Sequence, residues 1–120
     1  MSFSNQNNKN NKNKIETLLK KYPDRVPIII TSRSINLKDN NTNNTNFIVP
    51  SNITIAEFII ILRKRIKIYK EESIFMFVID NITKKDIMVQ SSITIDTLYS
   101  QYKDENLILN LYVEKESVFG

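Results

Sequence analysis

The chain has a single glycine among its 120 residues, and that glycine is residue 120 itself. Glycine is the residue that enters φ > 0 without steric cost. A chain without internal glycine must therefore make its turns from other residues. Asparagine is the natural substitute, because its short polar side chain tolerates the left-handed region, and it is used heavily here beside isoleucine and lysine. The fold is expected to consist of regular elements joined by Asn-rich loops, with the terminal glycine needing an explanation of its own.

Hydrophobic residues make up 41% and charged residues 25%, the balance of a globular domain whose length suits one core. Cysteine and histidine are both absent. Their absence excludes disulfides, Ser-His-Asp and Cys-His catalysis, and Cys- or His-ligated metal sites. The 13 acidic residues form no catalytic carboxylate motif, so the chain is not expected to be an enzyme or to carry a metal or cofactor. A net charge of +4 and a pI near 9.3 favour anionic membranes or acidic peptides. Nucleic acid ranks low as a partner, because the stacking aromatics of single-strand binders are not clustered. No apolar run reaches the ~18 residues of a membrane span, and no signal-peptide pattern opens the sequence. A cytoplasmic location with at most peripheral membrane contact is expected.

Residues 1–13, MSFSNQNNKNNKN, offer too little apolar surface to offset ordering entropy and are expected to be a disordered tail. Ile15, Leu18 and Leu19 then fall at i, i+3 and i+4, which predicts a helix over Lys14–Lys21 that ends at Tyr22-Pro23. Val26–Thr31 and Phe47–Val49 are β-branched, strand-like runs on either side of the polar loop Asn36–Asn46. Thr54 and Glu57 form a capping box ahead of a helix from Ile55 to about Lys67. Ile55, Phe58, Ile59, Leu62 and Ile66 share one face of that helix, while Ile60 and Ile61 lie off it. Ile74–Ile79 reads as a central strand covered on both faces. A short strand is expected around Ile87–Val89, and Thr94 is expected to cap a short helix through Tyr102. Leu107, Leu109, Leu111 and Val113 alternate as the last strand, followed by an extended tail from Glu114 to Gly120.

This order predicts an α+β fold, a ubiquitin-like β-grasp with four main strands on a central helix and an additional N-terminal helix. The domain proper spans residues 14–113.

Six segments share a further pattern. KYPDRVP (21–27), FIVPSNITIAEF (47–58), RKRI (63–66), IFMFV (74–78), LYSQYKDE (98–105) and ESVFG (116–120) resemble, in order, the autophagy-related protein 8 family, which includes GABARAP and microtubule-associated protein light chain 3. The resemblance covers residue 14 to the end and implies a ubiquitin-like modifier. In that family an activating enzyme adenylates the carboxylate of a C-terminal glycine. Two cysteine enzymes carry it onward as a thioester to phosphatidylethanolamine, and a cysteine protease processes and deconjugates the modifier. By this likeness Gly120 is the lipid-conjugation residue, with Val118 and Phe119 steering a tail thin enough for narrow catalytic slots. A modifier of this kind is expected in the cytoplasm and, once conjugated, on autophagosomal membranes.

The resemblance also implies a docking groove for cargo receptors and adaptors bearing an aromatic-x-x-aliphatic motif, which would add a strand beside the second β-strand. By matched position the aromatic pocket takes Leu18, Pro27, Ile48 and Ile108. The aliphatic pocket takes Phe47, Val49, Pro50, Ile53, Phe58 and Ile61, and Arg25 and Arg63 are placed to meet acids flanking the motif. The rim departs from the family. Asn44, Thr45 and Asn46 stand where lysines are usual, and Lys14 stands where some members carry an acid. Two alternatives remain beside this reading, a modifier joined to a protein lysine and an unconjugated ubiquitin-like adaptor.

Overall fold

The computed structural model describes residues 9–35, 37, 44–66 and 73–116. Within them the elements run α1 (Lys9–Lys21), β1 (Arg25–Thr31), β2 (Asn44–Pro50), α2 (Ile55–Ile66), β3 (Ile74–Ile79), β4 (Asp86–Met88), α3 (Ile95–Tyr102) and β5 (Leu109–Lys115). The five strands form one sheet in the order β2-β1-β5-β3-β4. Strands β1 and β2 are an antiparallel hairpin, β5 runs parallel to β1, and β3 is antiparallel to both β5 and β4. The last strand thus returns to the middle of the sheet and α2 crosses one face, which is the ubiquitin-like β-grasp, with β4 as the expected short strand beside the four main ones.

Strand periodicity divides the core in two. Val26, Ile28 and Ile30 of β1, Phe47 and Val49 of β2, Met76 and Val78 of β3, and Leu109, Leu111 and Val113 of β5 face α2. From the helix side, Ile55, Phe58, Leu62 and Ile66 are buried, and the Phe47 and Phe58 rings meet edge-on at 5.4 Å. On the opposite face, Ile15 of α1 packs with Ile29 and Ile108, and Leu19, Ile48 and Leu107 close around them. Strand β1 therefore reads as a continuous apolar run because both of its faces are covered.

Strand β3 shares that cover only in part. Met76 is buried on the inner face; on the outer face Phe77, 4% exposed, stacks on Tyr112 at 5.4 Å, while Phe75 is half-buried. There they line an open apolar concavity of about 600 Å³ with Ile74, Asp86, Met88 and Glu116.

Several boundaries differ from the sequence reading. Strand β2 begins at Asn44, within the expected loop, because its first residues pair with Ile29–Thr31, and β5 begins at Leu109, leaving Leu107 in a turn. Helix α1 begins at Lys9 rather than Lys14, so residues 9–13 are helical and not part of a disordered tail. Once Ile15 and Leu18 anchor the helix on the sheet, each preceding residue adds a hydrogen bond at small entropic cost, and Thr17 Oγ donates to the Asn13 carbonyl at 2.9 Å. Residues 1–8 lie outside the described residues. Strand β5 runs through Lys115, two residues into the stretch assigned to the tail. Lys67 and residues 117–120, including Val118, Phe119 and Gly120, also lie outside the described residues.

The turns differ as well. Among the described residues the two left-handed positions are Lys84 (φ 61°) and Leu107 (φ 66°), and neither is an asparagine. Each sits in a turn held by an aspartate. The Asp80 carboxylate accepts from Thr83 N and Oγ, both at 2.7 Å, and those bonds hold its pKa below the usual 3.8. The Asp104 carboxylate accepts from Asn106 N at 2.8 Å, Ile108 N at 3.0 Å and Asn110 Nδ2 at 2.8 Å. Side-chain acceptors thus hold conformations that glycine would have adopted freely.

The capping box forms as expected. Glu57 N donates to Thr54 Oγ at 3.2 Å and Thr54 N to Glu57 Oε1 at 3.0 Å. Thr94 at the start of α3 makes no equivalent backbone cap. Instead the two helix starts serve each other: Ile55 N donates to Ile93 O at 2.9 Å and Ile95 N to Ile53 O at 2.8 Å. Ala56 N and Asp96 N then reach Ser91 O and Ser51 O at 3.0 and 2.9 Å. The segments SNITI (51–55) and SSITI (91–95) are a short repeat, and their backbones pair reciprocally around a Thr54–Thr94 bridge. This pairing satisfies amide groups that every helix start leaves open.

Candidate functional site: the β2 edge and the α1 groove

Strand β2 pairs with β1 on one side and ends the sheet on the other, so its outer edge presents backbone donors and acceptors for another strand. Helix α1 runs beside it. Lys14, Thr17, Leu18 and Lys21 fall at i, i+3, i+4 and i+7, one stripe of the helix, and Tyr22 follows its last residue. With Arg25 and Ile48 they line a cavity of about 470 Å³. Its apolar floor is Leu18, 4% exposed, and the half-buried Ile48.

The expected aromatic set is therefore divided. Leu18 and Ile48 meet in the cavity. Pro27, opposite Ile48 in the hairpin, and Ile108, fully buried under α1, lie within the core. Arg25 lies on the rim. Lys14 and Lys21 join it there, and neither was assigned a site role from sequence. Their seven-residue spacing with Leu18 between them was the available signal.

The aliphatic set is sealed more deeply. Phe47, Val49 and Phe58 are at most 4% exposed and belong to the core under α2. Phe47 is further covered by the Arg65 guanidinium, 4.8 Å above its ring, a cation–π contact. Ile53 and Pro50 are half-buried, and Ile61 is 39% exposed beside Ile60 at 57%. The reachable part of that set is thus Ile61, Ile53 and Pro50. Arg63 is half-buried and already engaged with a neighbour. Asn44, Thr45 and Asn46 form the first three residues of β2, with Thr45 buried and Asn46 half-buried, so this end of the strand carries no cation.

A second polar constellation anchors the base of the tail. Glu114 is 2% exposed. Its carboxylate accepts from Ser32 Oγ at 3.1 Å, Arg33 N at 3.1 Å, Ser34 N at 2.9 Å and Ser34 Oγ at 2.6 Å. Ser34 Oγ in turn accepts from Lys115 N at 2.9 Å. Burial alone would raise this carboxyl, but the bonds from Ser34, Arg33 and Ser32 outweigh it and hold its pKa below 4.5. The Arg33 guanidinium lies 3.6 Å away but is 76% exposed, so it adds little. Sequence reading gave Glu114 no role, since nothing local distinguishes it from a solvated strand-end acid.

Against this geometry the comparisons agree. The family model described as autophagy protein Atg8, ubiquitin like, matches residues 9–120. Autophagy-related proteins 8d and 8c of Arabidopsis thaliana are each 32% identical over 100 residues, 83% of this chain and 78% of theirs. The crystal structure of Trypanosoma brucei ATG8 superposes with a TM-score of 0.76 at 26% identity, over 93% of this chain and 90% of that one. Plasmodium falciparum Atg8, solved in complex with a Plasmodium falciparum Atg3 peptide, gives a TM-score of 0.67 at 26% identity, over 87% and 86%. The sheet order, the helix packed on its outer face and these matches together make the chain a member of the Atg8 family of ubiquitin-like autophagy proteins.

Proposed function

We propose that this Atg8-family chain is a conjugated modifier, joined through the Gly120 carboxylate to phosphatidylethanolamine on autophagosomal membranes. Its second role is to dock short aromatic-x-x-aliphatic motifs of cargo receptors and adaptors. The observation that carries the docking role is the open edge of β2 beside a cavity with an apolar floor at Leu18 and Ile48. An extended peptide laid along that edge gains backbone hydrogen bonds and places one side chain in the cavity. The residue three positions on would then lie toward Ile53 and Ile61. The P. falciparum relative bound to an Atg3 peptide supports a conjugating enzyme as a partner of this chain as well. Activating enzyme and deconjugating protease complete the cycle, and the catalysis belongs to them. The unconjugated protein is cytoplasmic on this reading and the lipid-bound form is a peripheral membrane protein.

The test is a reconstituted reaction with activating and conjugating enzymes, ATP and phosphatidylethanolamine liposomes, with Gly120→Ala in parallel. A lipid adduct confirmed by mass and absent from the variant is the expected outcome. An adduct of protein mass would point to a protein-lysine modifier. No adduct, with the same enzymes active on a related chain, would leave an unconjugated adaptor.

A further inference from the structure

The cavity beside β2 combines an apolar floor with an unusual rim. Its described lining holds three cations, Lys14, Lys21 and Arg25, two hydroxyls, Thr17 and Tyr22, and no carboxylate. Among the described residues none of the three cations forms an ion pair. Lys21 rests 5.5 Å from the Tyr22 ring, and Thr17 has already donated its hydroxyl proton to Asn13 O. The positive groups come from two elements that meet at this point. Lys14 and Lys21 flank Leu18 on α1, and Arg25 opens β1 opposite Pro50 of the hairpin. Long side chains from both ends of the helix stripe and from the strand can therefore converge above the Leu18–Ile48 floor.

Such a site discriminates between aromatic side chains by what their outer end offers. An indole N–H is a donor only, and a rim of ammonium and guanidinium groups gives it nothing to donate to. A phenol oxygen can accept from them. A phosphorylated phenol adds close to two negative charges and three acceptor oxygens, which Arg and Lys bind through short charge-assisted hydrogen bonds. A cavity of about 470 Å³ lies within the size of small-ligand clefts, roughly 300–1,000 Å³, and so has room for a ring with its phosphate.

We propose that the aromatic subsite of this chain is a phosphotyrosine site, and that Lys14 is its specificity-determining residue. The proposal rests on the docking role above and deepens it. The peptide supplies a phosphotyrosine whose ring lies on Leu18 and Ile48 and whose phosphate is held by Lys14, Lys21 and Arg25. An aliphatic residue follows three positions later. Phosphorylation of the partner then strengthens docking, so that a tyrosine kinase acting on the receptor would recruit this protein.

The test uses the full chain and four dye-labelled peptides that differ only at the aromatic position, which is tryptophan, tyrosine, phosphotyrosine or phosphoserine. Affinity is read by fluorescence anisotropy at two salt concentrations. The phosphotyrosine peptide is expected to bind about tenfold or more tighter than the tryptophan peptide, as charge-assisted bonds of this type imply. Its advantage should shrink as salt rises. The exposed position of Lys14 allows Lys14→Glu without loss of fold, checked by circular dichroism, and this variant should bind the tryptophan peptide at least as well as the phosphotyrosine one. Tighter binding of the tryptophan peptide by the wild-type chain overturns the phosphotyrosine site and leaves strand docking intact. Equal binding of the phosphoserine peptide overturns it too, because the ring is then irrelevant. Failure of all four peptides to bind removes the docking role itself.

Discussion

Replacing Glu114 by glutamine tests whether the base of the tail is held by a buried charge. The carboxylate collects four hydrogen bonds from residues 32–34 while 2% exposed. Glutamine keeps one acceptor oxygen but turns an NH2 group toward donors, so at least one bond is lost and others weaken. Hydrogen bonds to a charged group contribute about 1.5–3 kcal/mol each, so Glu114→Gln should cost roughly 2 kcal/mol. Glu114→Ala strands every donor and should cost about 3–5 kcal/mol. The assay is urea unfolding followed by circular dichroism at pH 7. The same pair compared at lower pH adds a sign test. Because the folded pKa of Glu114 lies below 4.5, its contribution is fully present above about that pH. It fades as pH falls through the lowered folded value, so the gap between wild type and Glu114→Gln should close in acid. A Glu114→Gln protein as stable as wild type at pH 7, or a gap that widens in acid, would refute the clamp.

Other perturbations follow from the same geometry. Thr54→Ala removes the hydroxyl half of the capping box, the acceptor for Glu57 N, while the Thr54 N bond to Glu57 stays; it should destabilise the fold by about 1 kcal/mol, read from the thermal midpoint. Ile61→Asp leaves the core untouched at a 39% exposed position and should weaken motif-peptide binding roughly tenfold through lost apolar contact. Unchanged affinity in calorimetry would remove Ile61 from the groove. Tyr99, whose hydroxyl donates to Leu107 O at 2.8 Å, is pushed up to about 12 by burial and by the nearby Asp104 charge. The stability it lends is complete below pH 10, the ordinary tyrosine value, and is lost as pH rises toward 12. Ultraviolet titration should therefore show late-ionising tyrosines, one fewer in Tyr99→Phe, where Tyr112, also raised by burial, remains. Lys84→Asn, at φ 61°, should stabilise the chain by about 0.5 kcal/mol, since Asn enters the left-handed region more readily. A lower unfolding midpoint would show that the Lys84 side chain makes contacts worth more than that relief.

What the sequence determined by itself was whatever depends on neighbours along the chain. The Thr54–Glu57 box, the α2 stripe of Ile55, Phe58, Leu62 and Ile66, and the alternation of Leu109, Leu111 and Val113 are local periodicities, and each stands where expected. The order of elements then limited the topology to the β-grasp. The tertiary structure decided what depends on residues distant in sequence. It covered both faces of β1 but left Phe75 of β3 half-buried on the outer face, although the two runs are equally apolar. It carried α1 back to Lys9 by anchoring Ile15 on Ile29 and Ile108. Among the described residues it gave the left-handed turns to Lys84 and Leu107, in loops held by aspartate side chains. Glu114 and Ser34 stand 80 residues apart, and Lys14, Lys21 and Arg25 meet Ile48 only when α1 lies along the hairpin. Such pairings arise from packing, where the chain's own spacing carries no signal of which surfaces will meet.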